Sequence, residues 1–255
     1  MKIPSRIIQA EPTEVLRGNR AYLRKIDALP VIAKISPADY ALIQEGDNAN
    51  VAISMIQQFN GMDFFTMMQE AIKNGAPLAT QKRCIQHLIN VNSALKGKGV
   101  LYDAQGNLIE GDRLINYAQG LYHNRWAYLN GRFPQNAKGE GHKGLDLVIV
   151  NANGTEKREP LLTCLEESCY AELASMNEQG QLTRKDSVQK YKPGENLYFV
   201  APVLRTNKPQ EGCVARLYAI SDIAICFGHP GSADASLGGI VCAEGASPKN
   251  SGESK

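Results

Sequence analysis

Within residues 114–133, LINYAQGLYHNRWAYLNGRF, the chain gathers its only tryptophan, three tyrosines, one histidine and two arginines. Such side chains can hold an anion and stack on flat rings, because guanidinium groups pair with carboxylate or phosphate and aromatic faces accept cations and other π-systems. At about 100° per residue, Leu114, Tyr117, Ala118, Leu121, Tyr122, Trp126, Tyr128 and Leu129 share one half of a helical wheel. Asn116, Gln119, His123 and Asn130 fill the other half. The spacing predicts a single amphipathic helix over the whole stretch. Arg125 falls near the middle of its apolar half. A guanidinium stays charged at ordinary pH, so one aimed into a core needs a carboxylate, a cluster of carbonyls or a bound phosphate. The other reading is an arginine that snorkels out along Tyr128 and Trp126 and pairs with a glutamate.

Little else in the chain has the pattern of a reactive centre. His87, His123, His142 and His229 are scattered, and none has a nucleophile or metal partner at a useful spacing. AKGEGHKG (137–144) is glycine-rich but lacks the spaced GK[ST] of a phosphate loop. No carboxylate pair and no Gly-x-Ser-x-Gly elbow occurs. The cysteines at 84, 164, 169, 213, 226 and 242 form no CxxC, so reduced structural thiols are expected. Cys164 and Cys169, five residues apart on a helix, point well away from each other. These observations predict a protein with no catalysis, no metal and no cofactor.

At 255 residues with 43% hydrophobic and 21% charged side chains, the chain can bury a sizeable core. No apolar run reaches the roughly 18 to 20 residues of a membrane helix, and MKIPSRIIQAEPTEV lacks the apolar middle of a secretory signal. A cytoplasmic protein is expected. Net charge is only +2, but residues 1–34 hold seven Lys/Arg against three acids, and 35–80 hold one against five. Such zones suit an anion on one surface and a second copy of the chain on another.

The positioning elements are read as follows. Residues 20–35 predict a strand and turn, and 49–73 is broken at Asn60-Gly61 with a helical second half. KRCIQHLINVNSAL (82–95) fits strand or helix, and YDAQGNLIEGD (102–112) reads as a loop or hairpin. LDLVIV (145–150) predicts a buried strand, PLLTCLEESCYAELASM a helix opened by Pro160, LYFVAPVLRT (197–206) an edge or bulged strand, and CVARLYAISDIAICF a strand or strand and turn. From Gly228 onward, Gly, Ser and Ala predict a poorly ordered tail. The expected class is α+β, a mixed sheet with helices on one face.

Four patches between about residues 20 and 231 give the chain a resemblance: RKID (24–27), YAQGLYHNRWAYLNGR, ENLYFVAPVLRT and LYAISDIAI (217–225). In type and order they resemble the crRNA-coating backbone subunit of type I-F CRISPR surveillance complexes. The resemblance implies an RRM-like (ferredoxin-like) palm with a helical insert and a thumb over residues 1–231, and a low-complexity tail over 232–255. It implies a non-catalytic subunit whose copies stack along guide RNA, with other complex subunits and target DNA as further partners and no membrane. Sequence-independent RNA binding needs Arg or Lys for phosphates and aromatic faces for bases. The residues matching that role are Arg125, Trp126, Asn130 and Arg132 in the opening stretch, Arg20, Arg24 and Lys25 at a basic edge, and His229 where the family has a lysine. The C-terminal part is shortened relative to the family. That departure motivates an alternative: a stand-alone or virus-encoded relative that binds CRISPR subunits and blocks assembly or target binding, an anti-CRISPR.

Overall fold

The computed structural model describes residues 36–45, 49–122, 125–162, 167–203, 205–219 and 222–244. The strand expected over 20–35, and with it Arg20, Arg24 and Lys25, lies outside the described residues.

Strands β1 (Tyr40–Glu45) and β2 (Ala49–Ser54) pair antiparallel. Helix α1 (Phe64–Lys73) starts where the Asp63 carboxylate accepts from the Phe65 and Thr66 amides, and it buries Phe64, Met67, Met68 and Ala71 at helical spacing. Helix α2 (Gln81–Leu95) is capped by the Thr80 hydroxyl, which accepts from the Arg83 amide. That cap and the buried stripe of Cys84, Leu88 and Val91 decide for helix where the sequence pattern alone admits a strand. Helix α3 (Gly111–Tyr122) buries Leu114, Ala118, Leu121 and Tyr122.

The helix expected over 114–133 stops there. Residues Arg125–Phe133 form strand β3 instead. The wheel misleads because Ala127 and Leu129 are apolar and small enough to alternate with Trp126 and Tyr128 as a strand requires. Pairing with another strand then overrides the local pattern: β3 lies antiparallel to β8 (Cys213–Ala219), with Trp126 opposite Tyr218 and Tyr128 opposite Arg216.

Strands β4 (Asp146–Val150) and β5 (Glu156–Pro160) make a hairpin around the Asn-Ala-Asn-Gly turn. Pro160 therefore ends a strand and does not open a helix. Downstream, Cys169–Glu172 is strand β6, in which Cys169 and Ala171 are buried and Tyr170 faces the other way. Residues 163–166 lie outside the described set. Strand β7 (Asn196–Phe199) ends before Pro202 and sits between β6 and β9 (Ile223–Gly228), not at an edge. The larger sheet runs β5-β4-β3-β8-β9-β7-β6. Neighbours along this path are antiparallel except β7 with β9. One face packs on α2 and α3, where Ala127, Leu129, Leu217 and Ile225 join Ile85, Leu88, Ala118 and Leu121. On the other face α1 covers only one end, where Tyr128 and Val214 meet Phe64, Met67 and Leu237. The described chain is thus mixed α+β, and none of its helices is long and apolar enough to cross a membrane.

The segment expected as a tail is structured from Gly228 to Glu244. Strands β10 (Gly238–Gly239) and β11 (Cys242–Glu244) pair with β3 and β2 respectively, and Leu237, Ile240, Val241, Cys242 and Ala243 are buried. The two glycines serve close packing: a Cβ on Gly239 would stand 2.4 Å from Leu78 Cδ2 and 2.7 Å from Met67 Sδ. The folded unit therefore continues past 231 to at least 244, and 245–255 lie outside the described residues. Leu237 is fully buried, so Leu237→Ala is expected to lower stability by about 3 kcal/mol in urea unfolding. An unchanged midpoint would return this segment to the status of a tail.

Candidate functional site

Strand alternation divides the opening stretch between two faces. Arg125 points to the helix side. Its Nη2 donates to the Met55 carbonyl at 2.7 Å, its Cζ lies 6.0 Å from the Tyr117 ring centre, and its buried Nη1 has no hydrogen-bond partner among the described residues. Among the described residues no carboxylate pairs with it; a backbone carbonyl, one of the kinds of partner the sequence allowed, and a ring face hold it. The same pocket of charge shapes its neighbours. His87, 2% exposed, shares a hydrogen bond with the Tyr117 hydroxyl, and burial followed by the nearby Arg125 charge pushes its pKa down to about 3. Burial pushes the Cys84 thiol up to about 12 despite Arg125, which leaves it protonated and inert. Burial likewise raises Tyr117.

Asn130 and Arg132 serve the scaffold. The Asn130 amide donates to the Val150 carbonyl and its Oδ1 accepts from the Val150 amide, tying β3 to the end of β4. Asn130 also borders a polar cavity of ≈ 660 Å³ with Thr80, Lys82, Asn151 and Lys157. Arg132 pairs with Glu156 at 2.6 Å and donates to the Gln210 carbonyl at 3.1 Å. His123 lies outside the described residues. His229 is exposed, and its Nδ1 accepts from the Gly231 amide.

Trp126 is the predicted residue that leads to a site. Its register row crosses five strands: Trp126 on β3, Tyr218 on β8, Ala224 on β9, Tyr198 on β7 and Tyr170 on β6. All five face away from α2 and α3, and the four aromatic rings are half-buried. They meet in edge-to-face pairs, Trp126 with Tyr218 at 6.1 Å and Tyr170 with Tyr198 at 5.3 Å. A cavity of ≈ 500 Å³ lies over this row, lined also by Arg216, Asp222, Cys226 and Gly228.

Arg216, one step along β8, is 5% exposed. Its guanidinium lies 4.8 Å from the Tyr128 ring centre and 5.4 Å from that of Trp126. Nη2 donates to the Tyr128 hydroxyl at 3.0 Å and to the His229 carbonyl at 2.6 Å, while its buried Nε has no hydrogen-bond partner among the described residues. Among the described residues no carboxylate pairs with it. The Tyr128 hydroxyl passes the chain on by donating to the Ser232 carbonyl at 2.8 Å, and burial raises its pKa. Across the cavity, Tyr170 donates to Asp222, and that bond is the main cause lifting the tyrosine pKa to about 12. The face therefore offers stacking surface, one cation at one end and one carboxylate at the other.

Among the predicted residues, the structure brings Trp126 and His229 together through Arg216. Sequence reasoning missed Arg216, Tyr218, Tyr198, Tyr170 and Asp222. The available signal was the alternation in CVARLYA, where Arg216 and Tyr218 share one face and Ala215, Leu217 and Ala219 the other. Among the described residues no group of three His, Cys, Asp or Glu side chains is placed to hold a metal. Comparison of the chain with protein-family models, characterised proteins and solved structures found no match.

Two outcomes test this geometry. His87 is neutral in the fold, but in the unfolded chain it binds a proton below about pH 6.5. Stability is therefore expected to fall by up to about 1.4 kcal/mol per pH unit as pH drops from 6.5 towards 4.5. His87→Gln should flatten that slope in denaturant titrations at stepped pH, and an identical slope would contradict the assignment. A Cβ on Gly228 would stand 2.1 Å from Arg216 Cζ. Gly228→Ala is expected to cost about 1–3 kcal/mol and to change Trp126 fluorescence as the guanidinium is displaced. An unchanged spectrum would contradict the stack.

Proposed function

We propose that the chain is a non-catalytic RNA-binding subunit that holds single-stranded RNA on the open face of the larger sheet. The observation that carries this reading is the row Trp126, Tyr218, Tyr198 and Tyr170, with the Arg216 guanidinium, which has no carboxylate partner among the described residues, at its end. Single-stranded nucleic acid is bound without sequence preference by aromatic faces on which bases stack and by cations that meet the backbone. A sheet whose rings point to solvent while its other face packs on helices is one recurring way to present them. In this reading the mixed sheet is an RRM-like palm, and the RNA is guide RNA coated by successive copies as in type I-F CRISPR surveillance complexes.

The resemblance spreads the grip of this stretch over Arg125, Trp126, Asn130 and Arg132, with Arg125 the first cation among them. The geometry favours the neighbouring residue and the other face: Trp126 and Arg216 in place of Arg125 and Arg132, whose guanidinium groups are taken up by Met55, Glu156 and Gln210. His229 contributes its carbonyl to Arg216 and not its imidazole.

The test is purification from cells followed by binding of a labelled 12-nucleotide single-stranded RNA. The wild-type chain is expected to retain RNA, and Tyr198→Ala to weaken binding about 10- to 100-fold, the effect of losing one base stack at about 1–3 kcal/mol. Arg125→Ala is expected to change stability more than affinity. Loss of binding in Arg125→Ala with none in Tyr198→Ala, both folded by circular dichroism, would move the grip to the helix side.

A further inference from the structure

The aromatic row has one gap. Between Tyr218 and Tyr198, strand β9 contributes only Ala224, the register partner of both tyrosines. Two strand spacings set the tyrosine backbones about 10 Å apart. Rings in an offset stack need about 5 Å per step, so one flat ring fits between them and a second does not. The floor stays low along the strand, because Ala224, Cys226 and Gly228 follow one another on the cavity side. Trp126 and Tyr170 back the two tyrosines from outside, each edge to face with its neighbour.

The polar ends of this trough differ. Arg216 lies over Gly228 at one end. Asp222 lines the other, two residues before Ala224 and thus about 7 Å along the chain. Its Oδ2 accepts from the Tyr170 hydroxyl, which anchors the carboxylate over the row. An ionised carboxylate accepts hydrogen bonds and donates none, and it repels phosphate. On a face that binds RNA it suits a base edge that donates, above all an exocyclic amino group such as cytosine N4. Uracil presents a carbonyl at the same place and would be repelled.

We propose that the gap above Ala224 holds one nucleobase between Tyr218 and Tyr198, and that Asp222 accepts from its exocyclic amino group. This rests on the RNA-binding reading and adds to it a base preference at one place in an otherwise sequence-independent grip. The Arg216 end, whose positive charge meets no carboxylate among the described residues, takes the adjoining phosphate.

Trp126, the chain's only tryptophan, borders the trough, so its fluorescence reports occupancy. The experiment titrates the full chain with oligocytidylate and oligouridylate of 12 nucleotides, and with cytidine monophosphate alone. Oligocytidylate is expected to bind about tenfold more tightly than oligouridylate. Asp222→Asn, which can still accept from Tyr170, should bring the two within about twofold. Ala224→Leu should fill the gap and weaken oligocytidylate about tenfold, with Ala224→Ser as the folded control that keeps binding. Equal affinities in the wild type, or a preference that survives Asp222→Asn, would overturn the base slot while RNA binding stands. Failure of both oligomers to bind or to quench Trp126 would overturn the RNA reading and the slot together. Cytidine monophosphate binding as tightly as the oligomer would keep the slot but overturn the strand as its source, in favour of a free nucleotide.

Discussion

The structure around the open face depends on how one buried cation is accommodated. Arg216 brings a guanidinium into the interior without a carboxylate among the described residues. Desolvating such a charge is costly, and here carbonyl and hydroxyl dipoles and two ring faces offset part of that cost. Each of those partners constrains something else. Tyr128 must keep its hydroxyl and its place opposite Arg216 on β3, and residue 228 must lack a side chain. The chain after β9 must turn so that the His229 carbonyl meets the guanidinium and the Ser232 carbonyl meets Tyr128. That turn leads into the segment that buries Leu237 and supplies β10 and β11. Charge placement, loop path and the packing of the C-terminal strands are therefore one arrangement.

A second constraint is the alternation of β3, which separates neighbours in sequence by the thickness of the sheet. Arg125 joins His87, Cys84 and Tyr117 on the helix side, in surroundings that hold the imidazole neutral and the thiol protonated. Trp126 joins the aromatic row on the other side. The helix side is chemically quiet and supplies stability. The other side keeps half-buried rings, a cation with no carboxylate partner among the described residues and an anchored carboxylate. These groups are of little use to a core and suited to flat, anionic ligands.

The sequence made some of this legible and hid the rest for identifiable reasons. Helix α1 and strand β4 follow from periodicity, caps and turn residues that act within a few positions, whereas the pattern at α2 admitted strand as well as helix and that over β8 and β9 admitted one strand as well as two. Residues 114–133 stood out by composition, but the residue the pattern singled out was Arg125 and not Trp126. Three features were not legible. The switch from helix to strand after Tyr122 is imposed by pairing with β8, almost ninety residues away. The helix expected from Pro160 fails because Cys169 and Ala171 pair with β7, another distant partner. The glycines from 228 onward read as disorder in composition, whereas Gly228 and Gly239 sit where a Cβ would collide with Arg216, Leu78 or Met67. For the site, the aromatic row is assembled from single residues on separate strands, and no local motif contains it. Only the alternation of Arg216 and Tyr218 within CVARLYA pointed to that face.

The central claim, that nucleic acid lies on this face, is tested most directly by ultraviolet cross-linking of the full chain to single-stranded RNA, with mass spectrometry of the adducts. The account predicts adducts on Trp126, Tyr198 and Tyr218, with none on the peptides carrying Lys82 and Lys157. Adducts confined to those lysine peptides beside the polar cavity, with the aromatic row unmodified, would contradict it.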